Sequence, residues 1–336
     1  MVPDKALGQL PFGLLVTQAP QAVADGNGAL FSGYKRVPFL VRQAAVTQLP
    51  SVASLATLRR VPPGDAARKA FAGFGDPLFS TQQAQEAAGT QVASLTTRGL
   101  QTRSRPLVRR SAPVVQGVDS AELAQLPRLP DTAEEVRSIA AALRASDADM
   151  FLGRAANERQ VKTMTLSDRK VVMFATHGLV PGDLNGLTQP ALALSAPEVA
   201  NAEGDGLLTM DEILGLRLDA DWVVLSACNT AAGDGAGAEA ASGLGRAFFY
   251  AGTRAVLPTN WPVETTSAWV LTTDLFGRQA ANAALPRTQA MRQAMLALID
   301  GDGMVEDGKT VFSYAHPIFW APFTVVGDGG GNGPNS

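Results

Sequence analysis

The sequence predicts an α/β protein built on a mostly parallel central sheet flanked by helices. Two apolar runs, residues 170–176 and 222–227, have the length of buried strands, and each leads into polar or glycine-containing loop residues. Strand-like and helix-like stretches alternate over much of the chain, as they do in βα units around a parallel sheet. We therefore expect the ends of these two strands to lie at one edge of the sheet.

Composition sets the broad class of the protein. The chain has 336 residues, of which 46% are apolar and 18% are charged, so it can bury a large core. A net charge of −3 gives no reason to expect a nucleic acid or an anionic membrane as partner. No apolar run approaches the roughly 20 residues needed to span a bilayer, and residues 1–5 do not resemble a signal peptide. We expect a cytoplasmic protein.

The elements in the first half are predicted from periodicity and capping residues. Asp131 followed by Glu134 forms a possible capping box and predicts a helix that runs to about residue 145. Asn157 predicts the start of a later helix. The predicted strands in this half are residues 38–46, 69–74, 150–152 and the run that ends at His177.

The second half alternates in the same way. A hairpin is predicted around residues 192–194, and Thr209 with Glu212 forms a second capping box that opens a helix through residue 216. The remaining predictions are helices over residues 242–250, 267–280 and 288–299, and strands over residues 254–257 and 317–326. The prolines of the last segment suggest a strand at the edge of the sheet.

One stretch interrupts this pattern. Residues 80–126 are polar, lack clear periodicity and contain five arginines, so we expect a solvated, disordered insertion within a single domain over residues 1–327. The alternative is an activation loop that is open to proteases. Residues 328–336 are rich in glycine and asparagine and are predicted to form a flexible tail.

The residues that could carry chemistry are Cys228, the only cysteine, and His177, one of two histidines. Each ends a predicted parallel strand, where an imidazole could take the proton of a thiol. The backbone N–H groups of Gly178 and Cys228 could then stabilise an oxyanion. The alternative is that Cys228 is a small buried hydrophobe and His177 a hydrogen-bonded structural residue.

Metal and cofactor sites are not predicted. One cysteine and two histidines cannot build a zinc site of the usual kinds, and the acidic residues 300–307 lack the spacing of a calcium loop. We therefore expect no metal and no cofactor. The glycines at 233–237 leave open a nucleotide-binding alternative, although they follow the strand too late for a dinucleotide fingerprint.

Ordered motifs along nearly the whole chain resemble one known family. They lie at residues 4–12, 49–55, 74–77, 174–178, 205–213, 223–230, 243–252, 261–263 and 316–323. Together they resemble the CHAT domain, a caspase-like group of clan CD cysteine peptidases related to caspases, separases and gingipains. The resemblance implies a caspase-hemoglobinase-like three-layer sandwich and a catalytic dyad of His177 and Cys228.

The resemblance also implies a function. It indicates an endopeptidase that cleaves a protein or peptide substrate, in a bacterial regulatory or defence pathway. Because the sequence begins inside the opening motif, we expect it to be part of a longer protein, with a tetratricopeptide-repeat regulatory region upstream. The alternative function is a catalytically silent caspase-like scaffold that binds other proteins.

Acidic residues near the predicted dyad are candidates for a substrate pocket. Asp76 follows an early strand and could favour Arg or Lys at P1, the substrate residue before the cleaved bond; its alternative role is to cap the turn before Pro77. The other candidates are Asp205, Asp234 and Glu239. Trp261, Trp320 and His316 are expected to be structural.

Overall fold

A six-stranded sheet forms the centre of the protein. The computed structural model describes residues 1–3, 7–8, 10–19, 28–96, 120–226, 236–261 and 263–330. The strands in this part of the chain are β1 (Lys69–Gly75), β2 (Met150–Leu152), β3 (Arg169–Ala175), β4 (Gly178–Leu179), β5 (Ala191–Ala193), β6 (Leu207–Thr209), β7 (Trp222–Leu225), β8 (Ala255–Leu257), β9 (Met304–Glu306), β10 (Lys309–Phe312) and β11 (Val326–Gly327).

Helices surround this sheet. The α-helices of the described residues are α1 (Val52–Arg60), α2 (Thr81–Thr96), α3 (Asp131–Ala142), α4 (Glu158–Thr163), α5 (Pro197–Ala200), α6 (Met210–Leu214), α7 (Ala236–Ala251), α8 (Thr265–Ala281), α9 (Arg287–Asp300) and α10 (Pro317–Trp320). Short 3₁₀ turns lie at Phe12–Leu14, Ser32–Arg36, Leu40–Arg42, Ser120–Gln125, Asp147–Asp149 and Gly153–Ala155.

The central sheet has the strand order β11-β8-β7-β3-β1-β2. Its five strands from β8 to β2 pair in parallel, and β11 pairs with β8 in the antiparallel direction at one edge. A separate antiparallel sheet has the order β4-β5-β6, and β9 and β10 form a hairpin. The mostly parallel sheet of the sequence prediction is confirmed.

Alternating side chains bury both faces of the sheet, because successive residues of a strand point to opposite sides. Met173 and Val224 face a cluster that includes Val136 of α3, together with residues of α8, α9 and α10. Phe174 and Leu225 face a second cluster with residues of α4, α6 and α7. Helices therefore cover both faces, which confirms the predicted three-layer α/β class.

Helix α3 packs on β1 so closely that the strand needs glycine. A Cβ atom at Gly73 would lie 2.5 Å from ring carbons of Phe71 and 2.7 Å from Cγ1 of Val136. A glycine inside a strand often marks such a close approach of another element. The spacing between sheet and helix is therefore set at this position.

We expect Gly73→Ala to destabilise the protein by about 1–3 kcal/mol, because the added methyl group overpacks the core. The matched control is Gly277→Ala in α8, where a Cβ meets nothing within 4 Å. That change should stabilise the helix by up to about 1 kcal/mol. Urea unfolding of both variants measures the two effects, and equal midpoints for Gly73→Ala and the wild type would contradict the packing argument.

Several predicted elements have different boundaries or types. The strand predicted over residues 38–46 is wrong: Phe39 and Val41 are buried alternately, but the chain there forms the 3₁₀ turn Leu40–Arg42. The strand predicted over residues 317–326 is also wrong, because Pro317 occupies the first turn of α10 and only β11 pairs with the sheet. The helix predicted over residues 242–250 begins earlier, as part of α7.

Two of the three predicted helix caps are confirmed and one is wrong. Thr209 and Glu212 form the predicted capping box of α6, and the side chain of Asn157 accepts a hydrogen bond from the N–H of Gln160 at 2.9 Å. The predicted cap at Asp131 is wrong, because the N-cap of α3 is Pro130. A conformationally restricted proline precedes the helix, and Asp131 lies within its first turn.

Candidate active site

Three neighbouring strands end together at the carboxyl edge of the sheet. Phe174 of β3 pairs in register with Phe74 of β1 on one side and with Leu225 of β7 on the other. The residues that follow these strands are therefore brought to one place, as in other open parallel sheets. They are Asp76 after β1, His177 after β3 and Ser226 after β7.

The imidazole of His177 is buried and held by the backbone. Its Nε2 atom lies 2.8 Å from the carbonyl oxygen of Pro127, and its ring centroid lies 5.6 Å from that of Phe79. A carbonyl oxygen can only accept a hydrogen bond, so Nε2 carries the proton. In the neutral ring, Nδ1 is then the nitrogen that can take a proton from another group.

The backbone beside His177 belongs to the β4-β5-β6 sheet. The carbonyl of His177 accepts a hydrogen bond from the N–H of Ala193 at 2.9 Å, and Gly178 in β4 pairs with Leu192 in β5. The predicted hairpin around residues 192–194 is therefore confirmed, with β5 between two antiparallel partners. These contacts fix the backbone on both sides of the imidazole.

A short stretch that enters α3, here called the 127–135 segment, contacts the ends of all three strands. Besides the Pro127 contact to His177, the hydroxyl of Thr132 accepts a hydrogen bond from the N–H of Asp76 at 2.7 Å. The hydroxyl of Ser226 lies 2.8 and 2.9 Å from the two carboxylate oxygens of Glu135. The segment therefore aligns the strand ends relative to one another.

The carboxylate of Asp76 forms a two-point ion pair with Arg128 of the same segment. Nε and Nη2 of Arg128 lie 2.8 and 2.7 Å from the two oxygens. This hydrogen bonding raises the pKa of the Arg128 guanidinium above its ordinary value. The backbone of Asp76 has φ of 50°, a left-handed conformation that aspartate tolerates better than most residues. Asp76 thus follows β1 and holds Arg128, the residue next to the Pro127 that contacts His177.

Of the other predicted site residues, only the side chain of Asp205 lies in the described part of the chain. Asp205 is exposed, and its carboxylate accepts a hydrogen bond from the N–H of Leu207 at 2.8 Å, as in a local turn. Cys228 and Asp234 lie outside the described residues, as does the glycine cluster at 233–237. The backbone of Glu239 belongs to α7, but its side chain lies outside the described part. The roles of these residues stay predictions.

The segment expected to be a disordered insertion contributes ordered structure near the site. Residues 81–96 form α2, and Leu123 and Leu126 are buried against Phe79 and Leu179. Residues 97–119, which include its five arginines, lie outside the described residues. The burial of these leucines could not be predicted from the sequence, because two apolar residues in a polar stretch show no periodicity.

The two tryptophans and the second histidine that were expected to be structural pack in or against the core. Trp320 is buried in the core, and Trp261 packs against the same cluster. His316 caps α10 by accepting a hydrogen bond from the N–H of Ile318 at 3.1 Å, and burial lowers its pKa. Asp328, at the start of the predicted C-terminal tail, forms an ion pair with Arg287 of α9. Residues 331–336 of the tail lie outside the described part of the chain.

The described part of the chain contains neither a metal-binding cluster nor a helix that could cross a membrane. No three His, Cys, Asp or Glu side chains of the described ranges form a group that could hold a metal ion. Among the helices in the same part of the chain, none combines the length and the apolar character needed to cross a membrane.

The sheet order, the helices on both faces and the histidine at the carboxyl edge define an α/β protein with a mostly parallel central sheet. This chain belongs to the CHAT domain family, whose model matches residues 1–328. The resemblance inferred from the motifs is thereby confirmed.

Comparison with individual proteins gives one distant structural similarity. The solved structure of gingipain R, an Arg-specific cysteine proteinase, is similar to this chain with a TM-score of 0.34 and 12% sequence identity. The match covers 59% of this chain and 41% of that proteinase, so the chain spans less than half of its length. No protein of curated function matches the sequence.

Proposed function

We propose that this protein is a cysteine endopeptidase in which His177 and Cys228 act as a catalytic dyad. The observation that carries the proposal is the register of two neighbouring strands. Phe174 of β3 pairs with Leu225 of β7, and each candidate residue follows its own register position by three residues. Adjacent strands lie about 4.8 Å apart. Because His177 and Cys228 each lie three residues beyond one member of the same strand pair, their side chains are expected to be neighbours, which supports a contact between imidazole and thiol.

The hydrogen bond between His177 and Pro127 supports a specific role for each ring nitrogen. Nε2 donates to the carbonyl of Pro127, so Nδ1 is the basic nitrogen that takes the proton of the Cys228 thiol. The carbonyl of Pro127 also stabilises the imidazolium that forms. A histidine oriented by a third group is the usual arrangement around an activated nucleophile.

The reaction then follows the general course of covalent peptide hydrolysis. The thiolate of Cys228 attacks the carbonyl carbon of the scissile bond, and the N–H groups of Gly178 and Cys228 bind the oxyanion. The imidazolium of His177 gives its proton to the leaving amine. A water molecule, deprotonated by the same imidazole, finally hydrolyses the thioester and restores the thiol.

We further propose that the substrate is a protein or peptide and that Asp76 lies beside its P1 side chain. Asp76 follows the strand next to β3, and its neighbour in the pocket is Arg128. Asp205, Asp234 and Glu239 are further candidates for contacts with substrate. A bacterial regulatory or defence role, and a tetratricopeptide-repeat region upstream, are expectations that follow from the family resemblance.

Alkylation of the single thiol tests the dyad and separates it from a silent scaffold. A free thiol is only a few per cent ionised at pH 7, so an imidazole that draws off its proton accelerates the reaction with iodoacetamide. We expect His177→Ala to slow the alkylation of Cys228 at pH 7 by about tenfold or more. The alkylation rate of this variant should then rise with pH, with a midpoint at about 8.5, the pKa of an ordinary cysteine.

The second histidine supplies the matched control. His316→Asn keeps a side-chain acceptor at the N-cap of α10 and lies in a different part of the core, so its alkylation rate should equal that of the wild type. Mass spectrometry reports one site, because the sequence contains one cysteine. An alkylation rate that is the same in wild type, His177→Ala and His316→Asn would contradict the dyad.

A further inference from the structure

The position of Asp76 makes it a natural anchor for a cationic substrate side chain. Gly75 pairs in register with Ala175, so Asp76 and His177 lie one and two residues beyond a shared position at the sheet edge. The carboxylate is 9% exposed. A carboxylate in such a place would ordinarily bind a guanidinium or ammonium group strongly, because few water molecules compete.

Arg128 already occupies this carboxylate. Two nearly equal contacts, 2.8 and 2.7 Å, join its guanidinium edge to both oxygens of Asp76, which is the fork geometry of a strong arginine–carboxylate pair. The Arg128 side chain is 21% exposed and the Asp76 side chain 9%, so Arg128 is the more exposed member of the pair. A cationic ligand that approaches from solvent therefore meets a cation before it reaches the carboxylate.

The surrounding contacts keep Arg128 in place. Its neighbour Pro127 binds His177 through the carbonyl, and Thr132 bonds both the carbonyl of Leu129 and the N–H of Asp76, each at 2.7 Å. A movement that withdrew Arg128 from the pocket would strain these contacts, including the one that orients the imidazole. These contacts therefore hold Arg128 in place beside Asp76.

We propose that Arg128 determines specificity by neutralising Asp76, so that the site rejects peptides with Arg or Lys at P1. This inference rests on the proposed peptidase function. The substrates it admits carry an uncharged side chain beside the cleaved bond. Removal of the guanidinium uncovers the Asp76 carboxylate and converts the pocket to one that accepts basic residues.

Binding of agmatine, a small guanidinium compound, tests the pocket without requiring activity. In the full chain, agmatine should raise the melting temperature of Arg128→Ala, because it replaces the missing guanidinium on Asp76. It should leave the wild type and the double variant Arg128→Ala/Asp76→Asn unchanged. Arg128→Gln serves the same comparison if Arg128→Ala does not fold. Equal responses of the single and double variants would overturn the proposal.

Cleavage of matched peptides tests the specificity itself. We expect Arg128→Ala to raise the ratio of kcat/KM for P1 Arg over P1 Leu peptides by about tenfold to a hundredfold, the worth of a charge-assisted contact. Asp76→Asn in the same background should remove the gain. A wild type that prefers P1 Arg, or a ratio unchanged in Arg128→Ala, would overturn the inference.

The peptidase proposal and the specificity proposal can fail independently of each other. If no variant hydrolyses any peptide and His177 does not accelerate alkylation of Cys228, the peptidase proposal fails. The agmatine comparison still decides, in that case, whether Arg128 masks an acidic pocket. If peptides are hydrolysed and the P1 ratio does not respond to Arg128, the specificity inference alone is wrong.

Discussion

Replacement of Cys228 by alanine is expected to lower kcat/KM for peptide hydrolysis by about 10⁴- to 10⁶-fold. The proposed reaction forms a bond between substrate and sulfur, and a methyl group cannot form it. His177→Ala should cost about as much, since a thiol without its base is weakly ionised and the leaving amine loses its proton donor. Losses of this size are typical when one member of a coupled catalytic unit is removed.

The double variant sharpens this test. Residues that act as a unit are not additive, so Cys228→Ala/His177→Ala should be no less active than either single variant. His316→Asn is the matched control and should retain the wild-type kcat/KM. Additive losses would indicate two independent contributions, and activity that survives in Cys228→Ala would exclude this thiol as the nucleophile.

The second large effect, a loss of stability, is expected for changes at the opposite edge of the sheet. There, charged groups precede β1, β7 and β8. Asp221 lies 3.1 Å from Arg68, 3.5 Å from Arg287 and 3.7 Å from Arg254. The three arginine side chains are only 6%, 13% and 8% exposed, respectively. Burial is the main cause that lowers the pKa of Arg287. Asp221 thus contacts all three largely buried cations, while Asp219 pairs with Arg68 and Arg254 and Asp328 pairs with Arg287.

We expect Asp221→Ala to destabilise the protein by about 2–4 kcal/mol, because it leaves buried guanidinium groups with fewer counter-ions. Asp300→Ala is the matched control, since the pair of Asp300 with Arg42 is more exposed and its loss should cost less than about 1 kcal/mol. Urea unfolding at low salt measures both variants. Equal losses for the two would contradict a special role for the charge cluster.

The sequence located the central strands and some helix caps because both leave local patterns. The apolar run that ends at His177 corresponds to β3 and the run over residues 222–227 contains β7, as their length and composition predicted. Capping at Thr209 was also predictable, because the two residues of a capping box lie three positions apart. Such signals depend only on neighbours in the chain.

Local patterns failed where packing overrode them. The sequence predicts a strand over residues 38–46, yet the side chains of Phe39 and Val41 reach the core from a 3₁₀ turn. Leu123 and Leu126 looked like parts of a polar insertion, and they are buried beside the site. An apolar residue is buried by whatever element brings it to the core, so burial alone does not specify strand or turn.

The sequence by itself determined the α/β class and the parallel sheet, because hydrophobic periodicity is visible without coordinates. It also predicts His177 and Cys228 as the residues that carry the chemistry. Only the tertiary structure decided that the carbonyl of Pro127 orients His177 and that Arg128 neutralises Asp76. These partners lie 50 and 52 residues apart in the chain. A backbone carbonyl is the same chemical group at every position, and a distant ion pair leaves no local spacing, so neither contact has a signature in one sequence.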